Sequence, residues 1–342
     1  MNNVPPEVIV DRYVRNTLVR TKGFESCVGK QNLQLLEPAL GTLLLGIQTT
    51  FNSQLAALTS NSTHTRSGVT LFPFHVDYVE ASVTNALAFR YEGYAFIVIT
   101  VPLVRLMWHA CEQLSKSAEV VRALGADGAI SPVEAVHATL FASQLGFLLA
   151  HEYTHHIHGH HNIALEVWTE GLDNSLDGGL DSQAQEVDAD AFAAYIVLTH
   201  LIAGERRQKT LDLLGKLDID ETADDGRLLA SFVLAIGAFL YCLSPSRLDL
   251  TTVFRLTHPP PVLRMRHLMD AAKSWSSQNK PPLESVITLE WFQSLMRLVR
   301  CAMGISHGSQ NWDEQTAFLS SDSGDKYCAQ LAKQFDRLRS TR

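Results

Sequence analysis

Residues 135–155 read AVHATLFASQLGFLLAHEYTH, an apolar, proline-free run that ends in His151-Glu152-Tyr153-Thr154-His155. One interior glycine and no breaker predict a buried helix through the whole stretch. Positions i and i+4 share a helix face, so His151 and His155 can direct two imidazoles at one metal ion. Glu152 then stands beside the ion, placed to take a proton from a metal-bound water. This is the spacing of the H-E-x-x-H zinc signature. The plainer alternative is a chance match in a histidine-rich patch, because His156, His158, His160 and His161 follow directly. The helix leading into the motif favours a real site.

A catalytic zinc needs a third protein ligand and one open position. The best donor lies in Ser182–Ile202 (SQAQEVDADAFAAYIVLTHLI), again helical, with Ala189, Ala193, Ala194 and Val197 as a small-residue face. Glu186 and Asp190 are four apart, one above the other. The glutamate can bind the metal while the aspartate accepts the second N–H of a ligating histidine, fixing its tautomer. Taken alone, the pair would read as a solvated acidic face. His161 offers a competing third ligand, ten residues after His151, as in H-E-x-x-H-x-x-G-x-x-H enzymes. That pattern needs glycine where this chain has His158, and Gly159 better suits a helix C-cap. His160 and His161 then fall in a loop, and His156, His158 and His160 read as rim or surface residues.

With Glu186-Val187-Asp188-Ala189-Asp190, the motif resembles the gluzincin pattern, and two further stretches resemble the HtpX and CAAX prenyl protease family. One is Thr84-Asn85-Ala86-Leu87-Ala88-Phe89 with Ala95–Thr100 and Leu103; the other is Thr257-His258-Pro259-Pro260-Pro261 with Arg264-Met265. The likeness covers roughly Asn85 to Leu268. It implies zinc held by His151, His155 and Glu186, with Asp190 orienting His151. It implies that His258 or Arg264 approaches the cleft, His258 as a catalytic oxyanion donor; the plainer alternatives are that His258 caps or packs where the prolines stop one segment and a helix starts at Val262, and that Arg264 is an ion-pair partner tying that helix to the core. It also implies that an edge strand at Asn85, Ala86, Leu87 and Ala88 takes an extended peptide substrate. The pattern of these residues reads as a hairpin, Val76–Phe89 and Ala95–Val101 about a turn at Arg90–Tyr94. A vaguer likeness is to the Lit-type phage-exclusion peptidases.

HtpX-like enzymes span the membrane several times, and no such span is expected here. Leu228–Leu243 is sixteen uncharged residues, short of the roughly 20 a bilayer requires, and reads as a buried core helix. Met1–Thr17 carries no apolar signal core. A net charge of −8 argues against non-specific nucleic-acid binding. Five scattered cysteines without a C-x-x-C pair point to reduced thiols, and so to the cytoplasm, where the Asn61-Ser62-Thr63 sequon is irrelevant.

Thr59–Gly68, the acidic Thr169–Gln183 and Ser276–Pro282 read as linkers, with C-terminal helices near Leu283–Met303 and Lys326–Arg339. Calcium at Asp173, Asp177 and Asp181 is disfavoured because their spacing of four is not that of an EF-hand. The division is an N-terminal helical segment at 1–68, a metallopeptidase core at 69–275 and a C-terminal extension at 276–342. The expected fold is α+β, mostly helical, with an active-site helix, a second zinc-ligand helix and a small hairpin or sheet. The expected function is zinc-dependent endopeptidase, acting through a Glu152-activated, zinc-bound water on a peptide held as a strand. The alternatives are a gated or silent zinc-binding regulatory module, or a toxin or phage-defence protease with a specific cytosolic protein substrate.

Overall fold

The computed structural model describes residues 4–20, 24, 38–60, 68–160, 179–215, 220–244, 250–304 and 309–340. The chain divides into two units, Met1–Leu106 with Glu152–Gly171 and Arg342, and Met107–His151 with Leu172–Thr341. The architecture is α+β and mostly helical.

The first unit holds α1 (Pro6–Asn16), α2 (Pro38–Ser60), β1 (Phe74–Val79), β2 (Ala86–Tyr91), β3 (Tyr94–Thr100) and the start of α3 (Val101–Ser115). The sheet runs β1-β3-β2, with β1 parallel and β2 antiparallel to β3. This corrects the expected hairpin: Val76–Phe89 is two strands rather than one. Asn85 starts the second, its backbone N–H donating to Thr100 Oγ1 and its side-chain Oδ1 accepting from Ala86 N–H. The turn is only Glu92-Gly93, both with positive φ (44° and 83°), the two-residue loop whose twist suits a tight hairpin.

Residues of one parity on β2 and β3, Leu87, Phe89, Phe96 and Val98, bury against Ile9, Val10, Tyr13 and Val14 of α1. Tyr13 stacks on Phe89 at 4.1 Å. The outer edge of β1 is capped by α2, because Gln48 and Asn52 donate to Val76 C=O and Asn52 accepts from Val76 N–H.

The second unit holds the rest of α3 and α4 (Ala118–Ala123), most of α5 (Pro132–Ile157), and α6 (Gly179–Leu198), α7 (Arg206–Leu213) and α8 (Glu221–Cys242). It continues with α9 (Pro261–Asn279), α10 (Pro281–Glu284), α11 (Leu289–Met303), α12 (Ser309–Leu319) and α13 (Asp322–Ser340). Every residue of α8 from Leu228 to Tyr241 is buried. Gln144 of α5 donates to Ala235 C=O, and Phe147 meets Phe232 edge-on. Helix α5 is continuous; its residues through His151 count with this unit and those from Glu152 with the first.

The uncharged Leu228–Leu243 stretch belongs to a longer helix than its own length implies, since α8 runs 22 residues from Glu221 to Cys242. Helices α5 and α8 are both long and apolar enough to cross a bilayer, but 67% and 83% of their most apolar windows are buried inside the fold.

Ser276–Pro282 is also not a linker: α9 runs to Asn279 and α10 begins at Pro281, with only Lys280 between them. Lys280 itself reaches Glu221 and Asp225. Helix α12 was not expected, and α11 begins at Leu289 rather than Leu283. Asp181 lies in the first turn of α6, whereas Asp173, Asp177, His161, Cys27 and the Asn61 sequon lie outside the described residues. Cys111, Cys242, Cys301 and Cys328 are free thiols.

Glu92 pairs with Arg12 at 2.9 Å, yet both are well exposed, so the pair offsets little of the cost of a left-handed glutamate. Glu92→Asn is expected to raise the stability measured by urea unfolding by about 0.5–1 kcal/mol; a loss would mean that the Arg12 pair outweighs the backbone strain.

Candidate active site

In the second unit, α6 presents Glu186 and Asp190 on one buried face, 2% and 0% exposed. His151, near the end of α5, lies against both. Its Nδ1 is 2.9 Å from Asp190 Oδ1 and its Nε2 is 3.3 Å from Glu186 Oε2. The three consecutive prolines Pro259–Pro261 end the preceding segment and start α9, with Pro261 at its first position, where a missing N–H costs nothing. One turn into that helix, Arg264 makes two parallel hydrogen bonds to Asp190, both 2.7 Å, and approaches Glu186 at 3.8 Å. His258 lies just before the prolines, its Nε2 3.5 Å from Glu186 Oε2 and its Nδ1 2.8 Å from Thr257 Oγ1.

The segment before His258 is tied down by α6 and α13. Gln183 donates to the carbonyls of Val253 and Leu256, and the buried Tyr327 hydroxyl donates to Gln183 Oε1.

These groups are almost dry, so their charges must balance locally. Burial works against a proton on His151, but Glu186 and Asp190 outweigh it and push the imidazole up to about 10. Burial likewise works against ionising Asp190, yet Arg264 and His151 outweigh it and hold the carboxyl below its ordinary value. Two carboxylates face one guanidinium. The place that attracts a proton to Nε2 is equally suited to a metal cation.

In the first unit, the last turns of α5 carry Glu152 and His155, 5% and 8% exposed. By helical register His155 is one turn beyond His151 on the same face, and Glu152 is its immediate neighbour. Gly159, at φ 75°, ends the helix and folds the chain back, so that His160 N–H donates to His155 C=O at 2.9 Å. The Nδ1 atoms of His155 and His160 are 3.0 Å apart.

His156 and His160 are buried, not rim residues as the sequence suggested, while His158 is half-buried. His156 Nε2 lies 2.9 Å from Phe96 C=O and its ring meets Phe74 edge-on; Phe74 also packs on Tyr153. Arg90 crosses from β2 to the carbonyls of Thr70 and His156, its guanidinium over the Phe72 ring. The sequence puts His160 in a loop and Arg90 in the turn, whereas both make buried or bridging polar contacts. Gly159 was the available signal for His160, since a residue just past a C-cap turns back over the last helical turn. Nothing local marked Arg90.

His151 and His155 from one helix, with Glu186 beside His151, form a group able to hold a metal ion. His161, the alternative third ligand, lies outside the described residues. Asn85 is fully buried at the start of β2, and Leu87 faces α1. Strand β2 stands at one edge of the sheet. The pairing of Tyr91 with Tyr94 across the two-residue loop sets the alternation and directs the backbone groups of Ala86, Ala88 and Arg90 away from β3.

Residues 116–280, 165 of the 342, match a family model described as Peptidase U49. The match runs from α4 through α9. It supports a peptidase and is consistent with the Lit-type likeness; the likeness to the HtpX and CAAX prenyl proteases is not confirmed. No curated protein and no solved structure matches the chain.

Removing Arg264 would strip the buried Asp190 carboxylate of its two-pronged guanidinium partner. Arg264→Leu is expected to cost about 3–5 kcal/mol in urea unfolding at neutral pH, with much of it recovered by adding Asp190→Leu. Asp190 has a depressed pKa, so its paired state contributes stability above the unfolded value of about 3.9 and loses it as pH falls. The gap between Arg264→Leu and wild type should therefore narrow in acid; a gap that widens below about pH 4 would contradict this account.

Proposed function

We propose that the protein is a zinc-dependent endopeptidase whose metal is held by His151, His155 and Glu186. The observation that carries this reading is the position of His151, with Nε2 toward Glu186 and Nδ1 toward Asp190. That is the arrangement a ligating histidine needs, one nitrogen for the metal and the other donating to a carboxylate. The donor set, two imidazoles and one carboxylate in a dry site with an excess carboxylate charge, fits a zinc ion of catalytic type.

Zinc bound there would supply Lewis acidity, lowering the pKa of water and polarising a carbonyl. Glu152 is the general base: it takes the proton of the attacking water and returns it to the leaving amine. Asp190 holds the His151 tautomer, and Arg264 keeps Asp190 ionised so that it can accept that N–H. His258, beside Glu186, would donate to the developing oxyanion. The substrate is a peptide laid as an extra strand along β2, taking its backbone bonds from Ala88 and Arg90, with Asn85, Ala86 and Leu87 setting the strand's start. The apolar helices being covered by the fold, and no disulfide pairing the described cysteines, the reading places the enzyme in the cytoplasm.

Zinc content and new protein N-termini should be compared in cells producing the wild type, Glu152→Gln or His155→Ala. Glu152→Gln is expected to keep its zinc and lose about 10²–10⁴-fold in cleavage, whereas His155→Ala loses the metal. A zinc-loaded Glu152→Gln protein with wild-type cleavage would sink the mechanism. Zinc in the wild type and in Glu152→Gln, with cleavage in neither of these two, would point to a silent or gated module.

A further inference from the structure

We infer that His160 is a positioning residue for His155: it accepts the His155 Nδ1–H and so reserves Nε2 for the metal. The inference rests on reading His155 as a zinc ligand. Two ring nitrogens 3.0 Å apart need one hydrogen between them, so one is donor and the other acceptor. A neutral imidazole carries a single N–H. With it on His155 Nδ1, Nε2 keeps its lone pair; the opposite tautomer would place a proton where the metal must bind. His160 then carries its own hydrogen on Nε2.

The geometry is fixed from two sides. The backbone N–H of His160 donates to His155 C=O, and the left-handed Gly159 allows that return. The rings meet edge-on, with centroids 5.1 Å apart and planes at 66°, and His160 is 4% exposed. The two histidines of the motif are thus braced by different chemistry, His151 by a carboxylate and His155 by a neutral imidazole. A neutral acceptor lets His155 be oriented without adding another buried negative charge.

The test is zinc affinity of the full-length protein, measured by chelator competition with no substrate present. His155→Ala should abolish tight binding. His160→Phe, which keeps a ring and removes the acceptor, should weaken it about 10–100-fold, and His160→Asp, which restores an acceptor, should return it to within about threefold of wild type. Should His160→Phe fail to fold, His160→Ala removes the acceptor without bulk and should show the same loss. Wild-type affinity in His160→Phe or His160→Ala, or an Asp variant as weak as the Phe variant, overturns the inference and leaves the ligand assignment standing. A wild type without zinc, or His155→Ala with wild-type affinity, overturns the ligand assignment and this inference with it.

Discussion

A carboxylate shut away from water has to be neutralised by its neighbours, and Asp190 is neutralised from two sides. The Arg264 guanidinium grips both of its oxygens, and the His151 imidazole lies against one of them. Helices α5, α6 and α9 are held in register through this one side chain. Such a triad is poor value as pure stabilisation, because apolar residues of the same volume would hold three helices together at least as well. What it gives instead is direction. His151 is turned so that one nitrogen faces Asp190 and the other faces Glu186, and a packed leucine could not do that.

The parts of this arrangement that lie on single helices were legible in the sequence. His151, Glu152 and His155 follow from a spacing, as do Glu186 and Asp190, and an apolar run on either side announces each helix. What joins the helices was much less so. The approach of Arg264 to Asp190 spans 74 residues, and only the prolines before α9 hinted that a helix starts there. The strands were misread for a related reason. Val76–Phe89 is rich in strand-forming residues, but parallel pairing of β1 with β3 leaves no local signature, whereas the side-chain bonds of Asn85 and Thr100 break the run.

The C-terminal residues looked anonymous because their role lies in contacts with distant segments. Tyr327 is buried on α13, and its hydroxyl orients the Gln183 amide, so that both amide hydrogens of that side chain meet the carbonyls of Val253 and Leu256. The loop leading to His258 is therefore shaped by the last helix of the chain. A tyrosine in an amphipathic helix reads as ordinary core, and only its partner reveals that it sets the path of a segment next to the site.

The sheet treats its two borders differently. On β1, Gln48 and Asn52 of α2 satisfy the outward amide and carbonyl of Val76, so a further strand cannot bond at that residue. On β2 the Ala86 N–H is occupied by the Asn85 side chain. A growing filament needs two sticky borders per molecule, and a border blocked at mid-strand is a poor one. Where the β1 border meets α2 at Val76, a second copy would find those backbone groups already taken, and that limits edge-to-edge growth of the sheet there.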